Sequence, residues 1–222
     1  MTANSGIFRI GKRFEFQATR TRNGAPDGSG FLVDAVLTAS SLTSPGFVVD
    51  FGELDPLKRY LNQVFDHRNL DDVLGPGQAA NEQVAKHLET WCRANLCPAA
   101  AERLEVVTVR CGRPAGPGPH DLSFSAQHRL GGLPDGHKCG RDHGHTYLVS
   151  PLPGQGALPD ALRQLVAGLD GSVLNDVLDA EPTSEFLARH LLRSARSRGA
   201  AGLGALRVSE TATSWAQYSE QA

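Results

Sequence analysis

No uninterrupted apolar run in this 222-residue chain approaches the length of a bilayer, so no membrane partner is expected. Cysteine is sparse: Cys92, Cys97, Cys111 and Cys139 follow neither a zinc-finger nor a disulfide-scaffold rhythm. An excess of one charge is also missing. The net charge of -2 gives no reason to expect nucleic acid or an anionic surface as a partner. The opening Met-Thr-Ala-Asn-Ser-Gly-Ile-Phe lacks an apolar core followed by a cleavage site. A reduced, cytoplasmic protein is the expectation. Hydrophobic residues at 40% and charged residues at 21% suit a soluble globular chain of one large or two small domains.

What is present is histidine in a telling pattern. Cys139-Gly-Arg-Asp-His143-Gly-His145 places two imidazoles two residues apart, and Phe124-Ser-Ala-Gln-His128 supplies a third. In an extended run alternate side chains leave the same face, so His143 and His145 point together while Gly144 adds no bulk. Three neutral nitrogens with an open fourth position describe a catalytic rather than a structural zinc site. Cys139 lies close enough in sequence to reach the same pocket without being a ligand. His120 and His137 read as exposed loop residues, and His87 and His190 as structural helix residues.

The chain also echoes itself. Phe65-Asp-His-Arg-Asn-Leu-Asp-Asp-Val73 resembles Leu169-Asp-Gly-Ser-Val-Leu-Asn-Asp-Val177, and Ala79–Leu88 resembles Pro182–Leu191. Phe16–Arg20 pairs in the same way with Phe124–His128, and Val107–Gly112 with Leu206–Thr211. Similarity at a long, nearly fixed period predicts two structural units of roughly a hundred residues each. The expected boundaries are 1–112 and 121–222, joined by a Pro/Gly-rich linker at 113–120.

Each half predicts β-β-α-α-β, an α+β arrangement of antiparallel sheet with helices on one face. Expected strands run over Ile7–Thr19, Phe31–Ala39, Leu122–Arg129 and Thr146–Ser150, with one more closing each half. Gly46–Phe51 is a β-branched and aromatic run that predicts a further strand. Leu54, Leu57, Leu61 and Val64, like Leu162, Leu165, Val166 and Leu169, recur at helical spacing. Second helices begin near Asn81 and Thr183, either of which could cap its first turn.

These motifs, with Pro182-Thr-Ser-Glu185 and Ser209-Glu-Thr-Ala-Thr-Ser-Trp215, resemble the 6-pyruvoyl-tetrahydropterin synthase family. The Cys-x3-His-Gly-His spacing is similar to its bacterial 6-carboxy-tetrahydropterin synthase branch. The resemblance covers both halves and implies two tandem tunnelling-fold units whose sheets close into an oligomeric barrel, here a trimer of two-unit chains. It implies a Zn2+ cofactor on His128, His143 and His145, with Cys139 as catalytic base. The substrate it implies is a small pterin triphosphate, 7,8-dihydroneopterin triphosphate, on a route to queuosine-type 7-deazapurines. Asp66 and His67 match the family's proton-relay pair, Glu210 a second relay position, and Glu185 with nearby Thr183 the pterin anchor.

The two halves depart from the family in complementary ways. Arg20 stands where His128 stands, and Gly28-Ser-Gly-Phe31 occupies the region of the His-Gly-His run, so the first half is expected to lack a metal site. The second half reads Asp170-Gly171 where the first keeps Asp66-His67. A composite site drawing on both halves is therefore expected. The alternatives are a related lyase acting on another dihydropterin and a non-catalytic pterin-binding protein.

Overall fold

The structure, a computed structural model, describes residues 6–112, 116–118, 120–152 and 158–220; residues 113–115 and 119 of the expected linker lie outside them. Two compact units divide the chain, and they cut across the sequence halves. A C-terminal unit comprises residues 1–10, 38–48 and 117–222, and an N-terminal unit residues 11–37 and 49–116.

The strands are β1 (Ile7–Arg22), β2 (Ala25–Ala39), β3 (Arg68–Asn69), β4 (Leu104–Cys111), β5 (Leu122–His128), β6 (His143–Pro151), β7 (Ala205–Thr211) and β8 (Ser214–Ser219). The helices are α1 (Asp55–Tyr60), α2 (Leu70–Leu74), α3 (Asn81–Asn95), α4 (Pro98–Arg103), α5 (Asp160–Leu169), α6 (Leu174–Val177) and α7 (Ser184–Ser197). The class is α+β, as the patterning predicts, with the short helices α2, α4 and α6 added to the two expected per half.

In the N-terminal unit β2 lies between β1 and β4, and pairs antiparallel with β4 from Phe31↔Cys111 to Leu37↔Leu104. The first two strands reach further toward each other than predicted. Asn23 and Gly24, at φ 53° and 76°, close them in a two-residue turn, and Asn-Gly is the pair whose left-handed conformations match strand twist. Helix α3 buries Val84, Leu88 and Cys92, one residue per turn, which is the stripe that packs a helix on a sheet. Asn81 is the first helical residue and not the cap, a position taken by Ala80 without a side-chain bond.

In the C-terminal unit β5 pairs with β6, β6 with β7 and β7 with β8, all antiparallel. Where one closing strand was expected there is a hairpin, β7–β8. Buried residues alternate strictly along β5, so Phe124, Ala126 and His128 share the inner face. Helix α7 covers that sheet with Leu187, Ala188, Leu191, Leu192 and Ala195, and Thr183 caps it by accepting from Phe186 N–H.

The expected strand at Gly46–Phe51 does not form. Thr43 and Phe47 make only an isolated antiparallel bridge, and Phe51–Leu54 is a 3-10 turn capped by Asp50. Two local features break the extended run. Gly46 sits at φ +138°, and the Asp50 carboxylate accepts from Gly52 N–H. The Thr43–Val48 segment is held against the start of α7 instead. A Cβ on Gly46 would lie 2.4 Å from the Phe186 ring. Gly46→Ala is expected to destabilise the fold by about 1–3 kcal/mol through overpacking, read as a lower Tm.

Candidate metal centre

The register of β5 on β6 builds the site. His128 lies directly opposite His143, Ala126 opposite His145 and Phe124 opposite Tyr147. All these side chains share the inner face, and His128 is 3% exposed. Ligand nitrogens of His128, His143 and His145 all lie within 4.8 Å of one another. The sequence-predicted triad is therefore brought together by strand pairing alone.

Proton placement follows from the partners. His128 Nδ1 lies 2.8 Å from the Pro182 carbonyl and His143 Nδ1 lies 2.7 Å from the Arg141 carbonyl. A carbonyl only accepts, so both Nδ1 atoms carry the hydrogen and both Nε2 atoms present lone pairs. Those two Nε2 atoms face each other at 3.1 Å. The His145 ring is hydrogen-bonded to the Glu210 backbone in the sense that raises its proton affinity, as a carbonyl acceptor does. Two opposed lone pairs at this distance repel unless a cation or proton lies between them. Nitrogens sharing one tetrahedral zinc stand roughly 3.3 Å apart, so the donor set fits such an ion.

The electrostatics favour a metal over a proton. Burial is the largest influence lowering the pKa of His128, with the neighbouring His143 adding to it. His145 is lowered by burial first as well. Tyr147 lies beneath the cluster, its ring 5.6 Å from that of His145, and burial pushes its hydroxyl well above the ordinary phenol range, which keeps it protonated.

Glu210 meets the cluster through its backbone, bonded to His145, while its carboxylate accepts from Ser184 Oγ at 2.9 Å. Glu185 is buried and one of its oxygens accepts from Val48 N–H at 3.0 Å. The Thr183 hydroxyl donates to the Gly46 carbonyl while accepting from Phe186 N–H. Cys139 sits in the 3-10 turn Lys138–Gly140, its N–H donating to His137 Nδ1 and its carbonyl accepting from Leu130 N–H. His137, expected to be an exposed loop residue, is instead the cap of that turn.

Asp66 and His67 lie in the other compact unit. Asp66 follows a π-helical turn, Leu61–Phe65, and its carboxylate accepts from Gln17 N–H and contacts His67 Nδ1 at 2.9 Å. The Gln17 amide first, and His67 second, lower its pKa. His67 is 79% exposed and sits at φ +56°, a left-handed conformation uncommon for a residue with a side chain.

The counterparts in the two halves make the same bonds. Gln17 donates its N–H to Asp66 and accepts His67 N–H on its carbonyl, as Ser125 does with Asp170 and Gly171. His128 reaches the Pro182 carbonyl, and Arg20 Nη1 reaches the Ala79 carbonyl at 2.9 Å. Arg20 also pairs with Asp27, which bonds Ser29 Oγ, and contacts Asn81 and Cys111. Arg20, Asp27 and Ser29 thus stand where His128, His143 and His145 stand. Gly28 and Gly30 face the outer side, against Thr19 and Gln17. The correspondence differs by one residue from the expected Gly28–Phe31. Two surface clefts along α3, of about 580 and 550 Å³, include of these residues only Asn81.

We expect about one metal ion per chain by elemental analysis, lost in His143→Ala. Protons compete for the same lone pairs. With His128 and His145 held below the ordinary value of 6.5, the metal should persist at pH 7 and leave only as pH falls well below that value.

The family model for 6-pyruvoyl tetrahydropterin synthase matches residues 9–115 and 155–221; the three histidines fall between the matched segments. Similar solved structures include the 6-pyruvoyl tetrahydropterin synthase of Caenorhabditis elegans, at 23% identity and TM-score 0.34 over 43% of this chain and 89% of that one. An uncharacterized protein from Wolinella succinogenes aligns at 19% identity and TM-score 0.27 over 97% and 99% of the two chains. The Plasmodium vivax synthase aligns at 10% identity and TM-score 0.23 over 95% and 99%. Such low TM-scores add no weight to the assignment, which rests on the family model. The chain belongs to the 6-pyruvoyl tetrahydropterin synthase family.

Proposed function

We propose that this chain is a zinc-dependent synthase that converts 7,8-dihydroneopterin triphosphate to 6-carboxy-5,6,7,8-tetrahydropterin. The observation that carries the reading is the convergence of the His128, His143 and His145 nitrogens on one point, with the hydrogens of His128 and His143 already committed to carbonyls. Three uncharged ligands leave a zinc ion its full double charge, which would stabilise negative charge on the substrate's side-chain oxygens. In this reading Cys139 removes a carbon-bound proton and Glu210 belongs to the relay. Glu185, buried at the start of α7, accepts the pterin N–H groups. Thr183 shapes that end through its bonds to Gly46 and Phe186.

Asp66 and His67 complete the relay, contributed in the oligomer by a neighbouring chain. Asp66 fixes the Nδ1–H tautomer of His67, which leaves Nε2 basic on an exposed ring. The strained backbone of His67 supports a role beyond structure, because glycine takes the same place without strain at Gly171, φ 75°. The repeated hydrogen bonds support the reading that the halves are tandem copies of one tunnelling-fold unit, three chains giving six units in a barrel.

Incubation with dihydroneopterin triphosphate should release 6-carboxy-tetrahydropterin. A 6-pyruvoyl product would overturn the specific reaction, and tight pterin binding without turnover would overturn catalysis. His67→Gly should lower turnover by roughly 10²–10⁴-fold. Its stability should be unchanged or higher by up to ~1 kcal/mol, as relief of left-handed strain opposes glycine entropy. Mixing inactive His67→Ala and His143→Ala chains should restore activity, and a mixture that stays inert would sink the sharing between chains.

A further inference from the structure

We propose that Glu181 is a positioning residue: its carboxylate holds the loop that carries Cys139 in fixed relation to the histidine cluster. This inference rests on the reaction proposed above only for its kinetic consequence.

The loop between β5 and β6 begins with three consecutive amides, and each is engaged. Arg129 N–H donates to Asn175 Oδ1 at 3.0 Å, and Asn175 Nδ2 returns a bond to the Arg129 carbonyl. Leu130 N–H donates to the carbonyl of Cys139 itself at 2.8 Å. Gly131 N–H donates to Glu181 Oε2 at 2.9 Å. The neighbouring residue, Pro182, offers its carbonyl to His128. His128, Pro182, Glu181 and Gly131 close a ring through residues 128–131, and the Cys139 carbonyl is bound to it at Leu130. The thiol's backbone is thereby tied to a metal ligand through hydrogen bonds and two short stretches of chain.

Two independent features show that the clamp is built. A Cβ on Gly131 would come within 2.8 Å of Glu181 Oε1, so a side chain there would push the carboxylate out of its present place. In the N-terminal half the clamp and the loop are missing together. The two-residue turn Asn23–Gly24 replaces the loop, and the carboxamide residue Gln78 stands where the carboxylate Glu181 does. The Arg129–Asn175 amide bond, by contrast, keeps an equivalent in Thr21 N–H to Asp71. That bond belongs to the shared fold, and the Glu181 bond accompanies the thiol.

The full-length metal-loaded chain tests this with Glu181→Ala, Glu181→Gln and Gly131→Ala. Amide hydrogen exchange over residues 130–139, measured without substrate, should speed about tenfold or more in Glu181→Ala and Gly131→Ala. Metal content should stay at the wild-type level. Glu181→Gln, which keeps an acceptor oxygen, should recover most of the protection. Turnover in Glu181→Ala should drop roughly 10–100-fold in kcat with KM within about twofold, the pattern of a misplaced base. Wild-type exchange in both disrupted variants would overturn the clamp. Faster exchange with unchanged kcat would overturn its positioning role. An inert wild type would sink the proposed reaction alone, leaving the clamp to be judged on exchange.

Discussion

An imidazole whose Nδ1 faces a backbone carbonyl has no choice of tautomer, because the carbonyl can only accept. That constraint, met by Pro182 for His128 and by Arg141 for His143, governs the rest of the site. It removes the hydrogens from the facing Nε2 atoms and leaves opposed lone pairs at 3.1 Å. Neutral carbonyls also make weaker partners than carboxylates would. They orient the rings without adding negative charge behind them, and burial lowers the proton affinity of His128. Such a pocket is held open by the backbone, and its unfavourable nitrogen contact is relieved by a cation.

The five residues Glu181–Glu185 carry this constraint outward. Glu181 takes the loop amide of Gly131, and Pro182 takes His128. Thr183 takes Gly46, Ser184 takes Glu210, and Glu185 takes Val48. The start of α7 sets their directions. The chain must be extended ahead of the cap Thr183 and helical after it, and proline at 182 suits the extended side. Successive groups therefore leave the segment in different directions, one for each part of the site. Four of the five residues are buried.

Much of this was legible in the sequence because strands have a period of two. Phe124, Ala126 and His128 alternate with Ser123, Ser125 and Gln127, which fixes the face of His128, and His143 with His145 repeats the alternation on β6. The same period explains the main mismatch. The span Gly28–Phe31 begins one residue past the true counterpart of His143, and a one-residue slip exchanges inner and outer faces. The inner residues are Asp27 and Ser29. The Asn23–Gly24 turn would have set that register, since a two-residue hairpin leaves no freedom in the pairing. Gly46–Phe51 failed for a different reason. Its composition favours a strand, but Gly46 and the Asp50 cap are local conformational choices that overrule propensity. The Glu181 clamp left no motif, because its partner is a backbone amide fifty residues away.

The two halves solve one electrostatic problem in two ways. Each has a carbonyl, at Ala79 or Pro182, aimed at the end of its first strand. In one half a guanidinium meets it, bringing a permanent positive charge that Asp27 balances, and no further cation is needed. In the other an uncharged imidazole meets it, so any positive charge has to come from solution. The Asp66–His67 pair divides in the opposite sense. The half with the built-in cation keeps a strained histidine at position 67, where the half with the imidazoles has relaxed to Gly171. Strain of about 1–2 kcal/mol at an exposed side chain brings no packing in return. The Gln17 and Asp66 bonds hold that conformation in place without any packing of the ring.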